Sequence, residues 1–338
     1  MAVRLQDIAK AAGLSKPTVS QVLNSKGAYN PQTRERVWKV ARALGYQPNA
    51  AARATARGRF GSVALVLSAA DPSRSNVSGG LVAGVAGRLE QEAMHMVLAV
   101  LPDEELTSEG FLPRILKELM SDGLLINYNV GIPSRMVELI EEHRLPSVWL
   151  NVKRDAYAVY PDDFGAGAEA TRRLLALGHR RIAYVGYQPG GGAHYSQTDR
   201  REGYRQAMKE AGLAPQVLSD RVQDASVERQ IANWAEVLRG PDRPTAVVGY
   251  SLGECRPLVR AAERVGLVIP RDLSAITFEG HLAFLSEGLA VMLIPEAEVG
   301  CQGVAMLLER IEAPNEPMAS RAVGFGFEAG DSLAPPAP

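Results

Sequence analysis

Residues 5–24 read LQDIAKAAGLSKPTVSQVLN. Leu5, Ile8, Ala9 and Ala12 fall at i, i+3, i+4 and i+7, one face of a short helix. Gly13 stops that helix, and Ser15 is placed to cap the next one through its hydroxyl. Pro17 is tolerated there because first-turn N–H groups lack intrahelical partners. In the second helix Val19, Val22 and Leu23 share a face. A helix, a short link Ala12-Gly13-Leu14-Ser15 and a second helix have the spacing of a helix-turn-helix. The outward side of the second helix carries Lys16, Pro17, Thr18, Ser20, Gln21 and Asn24. Ser and Thr reach phosphates or bases, and Gln or Asn can pair bidentately with adenine in a major groove. A catalytic surface would need a nucleophile with a base beside it, and this segment has none.

Outward from this stretch, Asn30-Pro31 reads as a cap followed by a first-turn proline. Val37, Val40, Ala41 and Leu44 then repeat the helical stripe up to Gly45. Residues 1–61 hold eleven Lys and Arg against two acids, a net +9, while the rest of the chain carries −10. A basic head on an acidic body suggests that the head meets a polyanion and the body stays off it; the alternative is a solubilising surface. The 338 residues suit two or three domains, and 46% hydrophobic with 22% charged residues is a globular composition. No apolar run is long enough to span a membrane, and residues 1–13 do not read as a signal peptide, so a cytoplasmic protein is expected. Cys255 and Cys301 make neither a disulfide framework nor a zinc site and read as buried small residues; no metal or cofactor is expected.

After Pro48 the alanine-rich run Ala50–Ala56 has helix propensity but is too short to be helical alone, and it reads as a linker. From residue 62 onward apolar strands alternate with helices. The strand candidates are SVALVLS, MVLAV, GLLIN, PSVWLN, RIAYVG, TAVVGY, LSAITFEG and AVMLI. The helices are expected near 79–93, 110–121, 134–143, 164–178, 200–213, 226–239, 252–266 and 296–312. That alternation implies parallel sheets covered on both faces, arranged as two α/β units with a cleft between them. Ligands sit at the carboxyl ends of such strands.

The run LQDIAKAAGLSKPTVSQVLN, with TRERVWKVARALGYQPNAAARA, resembles the DNA-binding head of the lactose-repressor family of bacterial transcription regulators. The resemblance implies recognition positions at Lys16, Pro17, Gln21 and Asn24, and phosphate-contacting positions at Ser15, Thr18, Ser20, Thr33 and Arg34. It also implies that residues 49–61 form a hinge helix on DNA, with Asn49, Ala52 and Arg53 in the motif. Thr55 stands where the family inserts a leucine wedge into the minor groove, so a weaker kink is expected. Many relatives have Arg at Gln21, so this chain is expected to prefer adenine where they prefer guanine, and Pro17 to touch a thymine methyl.

The body resembles the same family through DDFGAGAEATRRLLALGHRRIAYVG at 162–186, RREGYRQAMKEAGL at 200–213, PTAVVGYS at 244–251 and GLVIPRDLSAITFEG at 266–280. This implies a periplasmic-binding-protein-like body at 62–332 and a homodimer on double-stranded operator DNA. The N-subdomain would be about 62–160 and 290–321, and the C-subdomain about 161–288 and 322–332. The chain would cross between them near Tyr160, Leu289 and Ala322, and the tail 333–338 is expected to be disordered. A small-molecule effector, sugar-like, would lie in the cleft. Arg200 and Ser196 fit family ligand positions, Arg200 with a guanidinium forked onto ligand oxygens. Asn151 and Glu279 end strands, and Tyr187, Trp149, Tyr250 and Phe278 could offer stacking faces or fill the core. The family's Asn-Asp pair is Ser251-Leu252 here, the acid expected after Glu279 is Gly280, and its aromatic stretch near 73–78 reads SRSNVS. These losses leave a second reading open: a decayed cleft, answering to a protein partner or to no ligand. Gly190-Gly191-Gly192 lacks the Lys of a phosphate loop and reads as a loop over the cleft, and His281 beside Glu279 lacks a nucleophile, so an enzyme is not expected.

Overall fold

The structure, a computed structural model, describes residues 3–24, 27–46, 59–69, 74–75, 77–101, 121–186, 193–219, 226–280 and 288–337. Asn49, Ala52, Arg53, Thr55, Tyr187, the Gly190–Gly192 run, His281 and all but the last residue of the helix expected near 110–121 lie outside these. The chain divides into two units, Met1–Phe60 and Gly61–Pro338.

The first unit has three helices among its described residues: α1 (Leu5–Ala12), α2 (Lys16–Leu23) and α3 (Pro31–Ala43). Gly13 ends α1 with φ +62°, a left-handed conformation that glycine adopts without a Cβ penalty. Ser15 Oγ accepts from the Thr18 N–H at 3.2 Å, and Asn30 Oδ1 from the Gln32 N–H at 2.9 Å, so both expected caps form. The apolar stripes meet in a core of Ile8, Ala9, Val19, Val22, Val37 and Ala41. Each fully buried Ile or Val there contributes roughly 1.5–3 kcal/mol.

In the second unit the elements run β1 (Ser62–Ser68), α4 (Gly79–Gln91), β2 (His95–Leu101), β3 (Leu124–Ile126), α5 (Ser134–Glu142), β4 (Ser147–Leu150) and β5 (Ala158–Pro161). They continue as α6 (Asp163–Ala176), β6 (Ile182–Gly186), α7 (Tyr195–Glu210), β7 (Gln216–Ser219), α8 (Val227–Arg239), β8 (Ala246–Gly249) and α9 (Leu252–Arg264). The last are β9 (Ser274–Glu279), β10 (Ala290–Leu293), α10 (Glu296–Glu312), β11 (Arg321–Val323) and β12 (Gly326–Glu328). Two six-stranded sheets result, ordered β11-β5-β4-β3-β1-β2 and β12-β10-β9-β8-β6-β7. Every pairing is parallel except β10 with β12. All seven residues of β1 are buried, as a continuous apolar run in a doubly covered parallel sheet requires. Two apolar clusters lie in each half, consistent with helices on both faces of each sheet. Among the described residues no helix is long and apolar enough to cross a membrane.

Four expectations need correction. The crossing placed near Leu289 falls after β10, because β10 pairs with β9 (Met292 beside Phe278) and α10 then packs on α4. β11, with Ala322, belongs to the first sheet and β12 to the second, so the last crossing lies at Gly324–Phe325. The helix expected at 200–213 begins at Tyr195, because the His194 side chain accepts from the Ser196 N–H and caps it. The tail is ordered through Ala337: Leu333 packs against the second sheet's core, and the Ala334 carbonyl accepts from His179 Nε2 at 2.9 Å. Of the cysteines, Cys255 is buried and Cys301 half-buried.

Candidate functional site

In the first unit, α2 sets its apolar side, Val19 and Val22, into the core and leaves Lys16, Pro17 and Gln21 exposed. Ser20, Thr18 and Asn24 are half-buried at its margins. Some of the expected DNA-contacting groups already have partners. Ser15 Oγ shares a 2.8 Å hydrogen bond with Thr18 Oγ1, and Asn24 donates from Nδ2 to the Ser20 carbonyl at 2.7 Å. Arg34 is exposed and Thr33 half-buried in the first turn of α3, at the positive end of the helix dipole, which favours an anion. Gln21 accepts at Oε1 from the hydroxyl of Tyr29, a residue the sequence pattern did not single out.

In the second unit, a cavity of about 450 Å³ opens at the carboxyl ends of both sheets' strands. Asn151, Ser196, Arg200, Ser251 and Glu279, drawn from four separate stretches of sequence, all line it. Asn151 ends β4 with φ +57°, a left-handed conformation that Asn tolerates. Its carbonyl accepts from His194 Nε2 at 3.0 Å, and its Oδ1 from the Tyr195 hydroxyl at 3.4 Å. His194 Nδ1 lies 2.7 Å from Ser196 Oγ, which lies 2.9 Å from the Tyr250 hydroxyl. Burial pushes the His194 pKa down, so the ring is neutral at pH 7, with its proton on Nε2.

Arg200 does not extend a fork into open space. Its Nε donates to Asp163 Oδ1 at 2.6 Å and its Nη1 to the Tyr250 carbonyl at 2.7 Å. The guanidinium carbon lies 4.4 Å from the Phe278 ring centre and 4.9 Å from that of Tyr250. Burial opposes the charge, but adjacent Asp163 together with Tyr250 and Tyr184 outweighs it, and the pKa is raised. The expected ligand fork is thus closed within the protein on two of its three nitrogens. Ser251 caps α9 by accepting from the Gly253 N–H, and donates to Glu254 at 2.5 Å. Glu279 holds its own neighbour's N–H, that of Gly280, at 3.0 Å.

Position 280 carries no acid, but a carboxylate from another element comes close to it. Glu296, the first residue of α10, places its carboxylate in the space that a Cβ at Gly280 or Gly80 would fill. Sequence reasoning missed Glu296, Asp163, His194 and Asn129, which also line the cavity, because each sits on a helix start or loop where no periodicity marks it. Much of the remaining wall is apolar, with Leu81, Val130, Pro161, Phe278, Ile294 and Val299. Several polar groups converging opposite an apolar face are what a small polar ligand requires. Lys153 Nζ, on the first sheet's side, reaches Asp199 Oδ2 on α7 at 2.6 Å.

Comparison with known proteins adds family information. Residues 4–49 match the family described as bacterial regulatory proteins, lacI family, and residues 171–333 match the periplasmic binding protein-like domain. The HTH-type transcriptional regulator AglR of Rhizobium meliloti (strain 1021) is 32% identical over 84% of this chain and 80% of its own length. A lac repressor dimer solved bound to operator and the anti-inducer ONPF superposes with a TM-score of 0.76, at 20% identity, over 99% of this chain and 100% of that one. The transcriptional regulator CelR in complex with cellobiose superposes with a TM-score of 0.62, at 24% identity, over 98% of this chain and 100% of that one. At those identities the two structures speak for the fold alone.

Proposed function

The chain belongs to the lacI family of bacterial regulatory proteins, and from that premise we propose that it is a cytoplasmic repressor that binds a palindromic operator as a homodimer and responds to a neutral, sugar-like effector. The observation that carries the reading is α2, whose Lys16, Pro17 and Gln21 stand exposed on a head of net charge +9, opposite the face that Val19 and Val22 bury. A helix of this kind offers its outer side to a major groove, and the surrounding cations neutralise phosphates. Ser15, Thr18, Ser20, Asn24, Thr33 and Arg34 position the head on the backbone, and Asn49, Ala52, Arg53 and Thr55 make the hinge contacts.

The charge of the cavity supports a neutral polyhydroxyl effector. Asp163 neutralises Arg200, His194 is uncharged, and the carboxylates of Glu279 and Glu296 remain. Carboxylates accept hydrogen bonds from sugar hydroxyls and repel a phosphate. Asn151 and Ser196 add polar groups, and Phe278 adds an apolar face. The carboxylate of Glu296 beside Gly280 speaks against a decayed cleft. The effector biases the relative orientation of the two sheets and so the spacing of the hinges.

Selection of randomised duplex DNA by the purified full chain tests the first half. A palindrome with half-sites about ten base pairs apart is expected; retention without consensus overturns the reading. Isothermal titration with a panel of neutral mono- and disaccharides tests the second. Heat from at least one that also shifts operator affinity is expected, and binding confined to phosphorylated or other anionic compounds overturns the neutral assignment.

A further inference from the structure

We infer that the body carries a second binding site, beside the first sheet, for a small organic carboxylate of single charge with a flat apolar part. The site is a cavity of about 440 Å³ lined by α5, β4, α10 and the segment that joins β4 to β5. Among the described residues it shares no lining residue with the effector cavity. Its size is that of pockets that hold small organic molecules. Val137 and Ile140 of α5 and Trp149 of β4 give it an apolar wall. Trp149, which the sequence leaves as either a stacking face or core, is buried and lines this cavity, not the other.

Two arginines sit over the aromatic rings here. The guanidinium carbon of Arg310 lies 3.8 Å from the Tyr157 ring centre, and that of Arg154 lies 4.9 Å from the Trp149 ring centre. A guanidinium that covers a ring keeps the N–H groups of its edge, and their fork matches a carboxylate. Arg310 uses one of them, donating from Nη1 to the Ser147 carbonyl at 2.8 Å. Among the described residues neither arginine forms an ion pair. Arg200 shows the contrast. Asp163 lies against that guanidinium, and its pKa is raised despite burial. Arg310 is half-buried without such a partner, and burial lowers its pKa, with Tyr157 and Glu141 offsetting only part. An anion bound there supplies the countercharge that the protein does not. Tyr157 itself has φ +56°, a left-handed conformation unfavourable for an aromatic residue, and such outliers cluster at ligand clamps.

Charge sets the class of ligand. Lys153 lines the cavity but is paired with Asp199, and Glu141 and Asp155 line it from exposed positions. Two arginines thus face two acids. One negative charge seated on the arginines is favoured, and the second charge of a phosphate meets the acids uncompensated.

The test is titration calorimetry of the full chain with benzoate, phenylacetate and 4-hydroxybenzoate, each beside its neutral amide. Saturable binding of at least one carboxylate is expected, with the matching amide at least about tenfold weaker. Arg310→Met should weaken that carboxylate about tenfold or more. Because Arg310 also holds the Ser147 carbonyl, Arg154→Gln, which leaves that bond in place, is the second variant. It should weaken binding as well, with the urea midpoint of the native protein. Glu279→Gln removes a negative charge from the effector cavity and should leave the affinity unchanged; a rise would place the anion there and overturn the inference. So would silence from all three carboxylates, an amide that binds as well as its acid, or binding that survives both arginine substitutions. Tighter binding of inorganic phosphate than of any carboxylate would overturn the assigned class.

Discussion

At the scale of single residues, the most consequential pairing is Arg200 with Asp163, 6% and 1% exposed and 2.6 Å apart. A buried ion pair contributes little net stability over an apolar pair of the same shape, but removing one partner strands the other charge. Asp163→Asn should therefore cost about 3–5 kcal/mol in urea unfolding of the body. Asp163→Leu with Arg200→Met should recover most of it while abolishing effector binding. A double variant as unstable as the single one would mean that the loss does not come from stranding the charge of Arg200. His179 makes the complementary argument with pH. It is buried, and its neutral ring accepts at Nδ1 from Thr245 and donates from Nε2 to Ala334. Burial lowers its pKa below the ordinary value, as it does for His194. The unfolded chain takes up protons below about pH 6.5 while the folded chain does not, so stability falls as pH drops from there toward the depressed folded values. Urea midpoints at pH 7.5 and 5.5 should show that loss, and His179→Gln should lower the midpoint at pH 7.5 yet shrink the difference between the two. An undiminished difference in the variant would acquit His179.

At the scale of elements, α6 and α7 decide the geometry of the cavity, and they touch backbone to backbone. A Cβ at Gly203 would overlap the Phe164 carbonyl, and one at Gly167 the carbonyl of Arg200 itself. Gly203→Ala must push the helices apart, which moves Arg200 off Asp163. The expected result is weakened effector affinity together with lowered body stability, read by titration calorimetry and urea unfolding. Ser15 separates two roles within one element. Ser15→Ala removes the cap of α2 and should cost the head about 1 kcal/mol. Ser15→Asp restores the cap but faces phosphates with a negative charge, so stability should return while operator affinity does not. The elements legible in the sequence were those with a strong period: the stripe Leu5, Ile8, Ala9, Ala12 became α1, and the buried run 62–68 became β1. β5, β7, β11 and β12 span only three or four residues, too few for a period to register, and each is partly exposed or lies at a sheet edge. The start of α7 was hidden for another reason. Its first turn, Tyr195–Thr198, presents Ser196 to the cavity rather than an apolar stripe to the core.

At the scale of the molecule, the alternation of strands and helices was enough to read two sheets, but not where the chain passes between them. Those passages depend on which neighbour β10 and β12 pair with, a long-range choice that local pattern does not encode. The cavity was legible in the same measure: Asn151, Ser196, Arg200, Ser251 and Glu279 do meet, while Glu296 reaches its place only through the packing of α10 on α4. The charge of the chain, by contrast, is a global property that needs no fold to be read.

That charge allows the number of heads on one operator to be counted. The head carries +9 and the rest of the chain −10, so attraction to DNA comes from the head and falls as salt replaces the ions it releases. Each phosphate that a cation neutralises adds about 0.9 to the slope of log affinity against log salt on duplex DNA. Arg34, exposed in the first turn of α3, is the phosphate partner proposed for the head. Arg34→Gln removes one such contact per head. If two heads sit on one operator, the slope should fall by roughly two; if one head binds alone, by roughly one. The measurement is a set of filter-binding or anisotropy titrations from about 50 to 200 mM salt, a range in which six to ten phosphate contacts cost roughly 10³–10⁵ in affinity. A change near two, with affinity reduced to the same degree on specific and random duplexes, would place a dimer on the DNA and Arg34 on its backbone. A change near one would put a single head there and remove the symmetry on which a palindromic operator depends. No change would take Arg34 away from phosphate altogether.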